Sequence, residues 1–168
     1  MGNSKKAEPS KKSNRNIFIG IGFFIILMAI FFVVKGNASK ATSVSKGEDI
    51  TIIKSDITET AKFIPYKVGN TKMELVAVKA PDGTIRTAFN TCQVCYNSGR
   101  GYYKQQGDDL VCQNCGNRFK TSQVEKIKGG CNPVPIGKEN KTDDGVIITI
   151  SNDFIAQNQA LFGNWKKN

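Results

Sequence analysis

Polarity along the chain is most lopsided near its start. Ile17 to Val34 is a run of 18 residues without a charge, bracketed by Arg15 and Lys35. No polar face recurs every third or fourth residue, as it would in a helix half-buried in a soluble core. Rising ~1.5 Å per residue, a helix of this length reaches ~27 Å, close to the ~30 Å of a bilayer's hydrocarbon. The run therefore predicts a single transmembrane helix over 17–34. A cleaved signal peptide is the rival, since Gly36-Asn37-Ala38 supplies small residues. Its apolar region would be longer than usual and Lys35 intervenes, so an uncleaved anchor is the better reading.

After a small, polar stretch over 35–48, read as a flexible tether, the pattern changes to alternation. Asp49–Lys54 is β-branched. Lys62–Val68 alternates, and its Pro65 suits an edge or a bulge. Lys72–Lys79 alternates through Met73, Leu75 or Val76, and Val78. Asp82-Gly83 is a hairpin signal, with Thr84–Phe89 as the returning strand. Asp109–Val111 leads into a cysteine pair, and Val146–Ile150 reads as a buried strand. Ser151 or Asn152 caps a final helix to about Phe162, its apolar side formed by Phe154, Ile155 and Leu161. The expected class is mainly β (α+β), in four parts: a basic head over 1–16, the span, the tether and a folded domain over 49–168.

Charge sharpens the topology. Lys5, Lys6, Lys11, Lys12 and Arg15 against Glu8 leave the head at +4 of the total +10. The excess of basic residues before the span favours an inside N-terminus, and so a folded domain outside the cytoplasm. Nucleic acid is then not an expected partner; the bilayer is. The acid pairs Asp108-Asp109 and Asp143-Asp144 flank glycines and read as turns, so no substrate-converting enzyme is expected. Histidine is absent from all 168 residues. That excludes Ser-His-Asp catalysis, His-ligated zinc enzymes and a true Rieske centre.

Sulfur remains as the ligand chemistry. Cys92-Gln-Val-Cys95 and Cys112-Gln-Asn-Cys115 form two C-x₂-C pairs separated by sixteen residues. Each short turn aims two sulfurs at one ion, and two turns close a tetrahedral shell. Gly116, free to take positive φ, would let backbone N–H groups face those sulfurs. The pattern admits an iron–sulfur centre, structural zinc, or two disulfides in an oxidising compartment. Short-ring disulfides would staple little. Cys131, in the glycine- and proline-rich Gly129–Ile136, is read either as a buried small side chain or as an additional ligand or redox thiol. Tyr96, Tyr102 and Tyr103 lie between the pairs, as ordinary packing or as a shield. A thiol–disulfide oxidoreductase lacks the βαβ context around either pair.

The run from Asp82 to Phe119, followed by Gly129-Gly130-Cys131-Asn132-Pro133-Val134-Pro135-Ile136, resembles the membrane iron-sulfur containing, FtrD-like protein family over roughly residues 45–163. The resemblance implies that Cys92, Cys95, Cys112, Cys115 and Cys131 serve iron–sulfur binding, with a [2Fe–2S] cluster expected and zinc as the alternative. It also implies an accessory role in membrane iron uptake, exchanging electrons with a permease or redox partner protein. More distantly, Cys115-Gly-Asn-Arg-Phe119 and the proline loop are similar to the Rieske layout, with Cys95 and Cys115 where that fold has histidines. The implied architecture is a Rieske-like antiparallel β-sandwich with a two-loop Cys₄ site. Four thiolates add negative charge, so such a cluster is expected to be a low-potential donor, nearer the ~−400 mV of plant-type ferredoxins than a Rieske centre. The other function class is a zinc-ribbon-like interaction module.

Overall fold

Strand alternation divides this chain between two hydrophobic cores, and the division explains where the cysteines lie. The computed structural model describes residues 47–167. The expected head, the span over 17–34 and all of the tether but Gly47 and Glu48 lie outside the described residues. Among the described residues no helix is long and apolar enough to cross a membrane.

The described chain is mainly β. A central sheet is formed by β2 (Lys62–Val68), β3 (Thr71–Lys79), β4 (Ile85–Cys92) and β8 (Pro133–Pro135), in that order. A second sheet sets β10 (Ile147–Ile150) between β1 (Ile50–Ile53) and β9 (Thr142–Asp143). A third is the meander β5 (Tyr103–Gln106), β6 (Asp109–Cys112) and β7 (Arg118–Lys120). Every pairing is antiparallel. Pro65 lies on β2, the edge of its sheet, where a missing N–H costs no ladder bond.

β3 is buried from Met73 to Val78. Its side chains still alternate, because both faces are covered. Met73, Leu75 and Ala77 enter one core with Ile50, Ile52, Ile148, Ile150, Ile155 and Phe162. Val76 and Val78 enter a second with Ala88, Tyr103, Leu110, Phe119 and Val124. Period-two alternation along β4 puts Phe89 in the first core and Ala88 and Cys92 in the second. The sulfurs thus belong to the core shared with the meander.

Two sequence readings change in detail. Val146–Ile150 is half-buried and alternating rather than buried, with Val146 exposed and Ile148 and Ile150 inside. The final helix is broken. α1 (Asn152–Gln157) is capped by the Ser151 hydroxyl, which accepts from the Phe154 N–H, and a separate 3₁₀ turn follows over Gln159–Phe162. The break lets Phe162 stack edge-on against both Phe89 and Trp165, with centroids 5.9 and 5.6 Å apart.

Candidate metal centre

Cys92 is the last residue of β4, and Cys95 ends the tight turn after it. The Cys95 N–H donates to the Cys92 sulfur at 3.3 Å. The chain can turn back at once because Gly101 has no side chain: a Cβ there would come within 2.5 Å of the Cys95 carbonyl oxygen. The returning Gly101 carbonyl accepts the Cys92 N–H at 2.6 Å. Cys112 closes β6 in the same manner. Gly116 takes the left-handed conformation, φ +74°, which returns its N–H to the Cys112 carbonyl at 2.9 Å. The sequence expected the positive φ of Gly116, with N–H groups facing sulfur; the Gly116 N–H itself goes to a carbonyl. Two similar knuckles, each Cys-Gln-x-Cys, thus project from strands of two different sheets that share one core.

Cys131 arrives from a third loop. Its sulfur lies 3.2 Å from that of Cys92, 3.8 Å from Cys95 and 2.7 Å from Cys115. The sulfurs of Cys92, Cys95, Cys112 and Cys131 all lie within 4.8 Å of one another. All five thiols are free. Burial grades across the group, with Cys92 and Cys112 inside, Cys95 and Cys131 partly covered and Cys115 exposed.

Polar side chains fix the third loop in place. The Cys131 carbonyl accepts from the Tyr103 hydroxyl at 3.0 Å and from Asn117 Nδ2 at 2.9 Å. Gln93, inside the first knuckle, accepts the Gly129 N–H on Oε1 at 3.0 Å and donates from Nε2 to the Pro133 carbonyl at 3.2 Å. Its backbone N–H reaches the Asn132 carbonyl at 3.1 Å. Of the three tyrosines between the pairs, Tyr103 is fully buried in the second core and Tyr102 packs edge-on against Trp165 at 6.2 Å. Asn90 locks Tyr103 further, accepting its N–H at 2.8 Å while donating to Glu74 at 2.6 Å. Sequence reasoning missed Gln93, Asn90 and Asn117. Gln93 and Asn117 lie in turns, which carry no periodic signal, and Asn90 is a buried polar residue within β4 that alternation alone does not mark, although the glutamine repeated after the first cysteine of each pair was visible.

The five thiols differ in how readily they ionise: Cys92 and Cys115 are lowered, Cys95, Cys112 and Cys131 raised. Burial raises the Cys92 thiol, but hydrogen bonds from the Tyr103 hydroxyl and from the N–H groups of Cys95 and Val94 outweigh it and bring the group below its ordinary value. Cys115 falls to about 7, chiefly through the Cys131 thiol and then the Asn117 N–H. Burial pushes Cys112 up to about 11 and raises Cys131 as well, the latter helped by its hydrogen bonds to Cys115 and Cys92. Five thiols converging without a compensating cation are hard to ionise together. A bound cation reverses that logic, deprotonating the thiols it meets.

The donor set fits a thiolate-held metal or iron–sulfur group. It is all sulfur, anchored on two N–H-lined turns, and partly shielded from water. An antiparallel β domain carrying two cysteine knuckles and a third cysteine loop defines a protein able to hold metal on sulfur. The family model for the membrane iron-sulfur containing protein FtrD-like matches residues 57–162, and the chain belongs to that family. Comparison with curated proteins and with solved structures gave no match.

Proposed function

We propose that this protein is a membrane-anchored iron–sulfur electron carrier, an accessory of a membrane iron-uptake or related redox system rather than a substrate-converting enzyme. The observation that carries the reading is the convergence of five free thiols at one edge of a β core, in a chain of an iron-sulfur family. Bound there, a [2Fe–2S] cluster would supply one-electron transfer. The chain's own residues do the rest. The knuckle N–H groups offset thiolate charge, Tyr103 and Gln93 hold the third cysteine loop, and the meander covers the inner sulfurs. Cys115 and the 65% exposed Val94 leave the outer edge open to a partner. The anchor over 17–34, an outward-facing domain and the Rieske-like layout belong to the same reading.

A structural zinc site is the second reading. Four sulfurs within 4.8 Å of one another approach the ~3.8 Å edges of a tetrahedron with ~2.3 Å metal–sulfur bonds, the size of a one-ion shell. Anaerobic purification with metal and sulfide analysis separates the two. Equal iron and acid-labile sulfide with visible absorption supports the carrier. One zinc and no colour supports the structural site. Zinc found after aerobic handling decides nothing, because zinc replaces lost iron in thiolate sites.

A further inference from the structure

The domain has one more thiol than a tetrahedral thiolate shell or an ordinary cluster requires. The compact set is not the two C-x₂-C pairs. It is Cys92, Cys95, Cys112 and Cys131. Cys131 is also the most constrained of the outer cysteines, since β5, the β6–β7 turn and the first knuckle each hydrogen-bond its loop. Strand pairing adds to this. Pro133, two residues after Cys131, is the register partner of Cys92. Cys115 differs on each count: it is outside the compact set, it is exposed, and it touches Cys131 at 2.7 Å.

Resting on the metal-site reading above, we propose that the loaded protein is held by Cys92, Cys95, Cys112 and Cys131, with Cys115 a free thiol at the solvent edge, placed to exchange with Cys131. The exchange is balanced. The metal–sulfur bond to Cys115 forms as that to Cys131 breaks, the thiol proton passes from Cys115 to Cys131, and no oxidation state changes. Such a fifth thiol gives the site a place where a ligand can be swapped without opening the buried side of the shell.

The test is alkylation of the full-length, anaerobically loaded protein with iodoacetamide, read by peptide mass spectrometry beside iron, sulfide and zinc content. Cys115 is expected to be labelled stoichiometrically while the other four are protected. Cys115→Ser is expected to keep the wild-type metal content and spectrum. Cys131→Ser is expected to keep metal with a shifted spectrum, its Cys115 now protected. Should Cys131→Ser fail to fold, the wild-type labelling pattern and Cys115→Ser still decide. A loaded wild type with Cys131 labelled and Cys115 protected overturns the assignment while leaving the metal site standing. So does loss of metal in Cys115→Ser. A wild type that holds neither iron nor zinc overturns the metal-site reading itself.

Discussion

The Tyr103 hydroxyl donates to the Cys131 carbonyl at 3.0 Å from a ring fully buried in the second core. Tyr103→Phe keeps the ring and removes the hydroxyl, leaving the carbonyl to Asn117 alone and taking away the hydroxyl that lowers the Cys92 thiol. The expected loss is ~1 kcal/mol, seen as a lower urea midpoint with unchanged far-UV dichroism. Unchanged stability would mean that the hydroxyl does not brace the loop. A buried ion pair makes a sharper case. Lys141 and Glu125, their side chains 5% and 9% exposed, meet at 2.6 Å, and Lys141 also donates to the Thr87 hydroxyl at 2.9 Å. Lys141→Met strands a buried carboxylate and is expected to cost ~3 kcal/mol. The double variant Lys141→Met, Glu125→Gln should recover much of that, because the lone charge is the expensive element. Equal losses in the single and double variants would contradict this.

Among the strands, those carrying their own hydrophobic alternation were readable in the sequence: β1, β2, β3, most of β4, β6 and β10. Those whose partners define them were not. β5 reads Tyr-Lys-Gln-Gln and β7 Arg-Phe-Lys, each with one buried side chain, Tyr103 and Phe119. β8 is Pro-Val-Pro, which local rules mark as a loop, yet it lies on a sheet edge where proline is tolerated. Missing β8 is why the sequence left the position of Cys131 open. Nothing local shows that Pro133 pairs with Cys92 across 41 residues of chain. The two C-x₂-C turns, by contrast, were visible from their spacing, and the positive φ of Gly116 was expected. The two-core reading of β3 makes an element-level prediction. Leu75 faces the first core, remote from sulfur, so Leu75→Ala should cost ~3 kcal/mol of stability and leave iron or zinc content unchanged. A drop in metal content in the folded variant would show that the two cores are coupled.

At the scale of the molecule, the two cores differ in what holds them together. The first is aliphatic and aromatic, running from β1 and β10 through one face of the central sheet to Phe154 and Phe162. It contains no cysteine. The second contains Cys92 and Cys112 as core members, with Cys95 and Cys131 packed against it. The meander β5–β6–β7 therefore meets the rest of the domain through this core, where Tyr103, Leu110 and Phe119 pack with Val76, Val78, Ala88 and the sulfurs, and through the polar clasp of Asn90 and Tyr103. Metal bound across these loops would stabilise the folded state, and would tie together directly only the segments of that core which carry the sulfurs. Removing it leaves thiols crowded at 2.7–3.8 Å with nothing to bridge them. Chelation under reducing conditions should therefore loosen the molecule unevenly. Amide hydrogen exchange is expected to rise in β6, in both knuckles and in Gly129–Pro133, while β3 and β10 stay protected. A uniform rise would show that the metal supports a single cooperative fold. No change anywhere would show that the sulfurs contribute nothing to holding the meander in place.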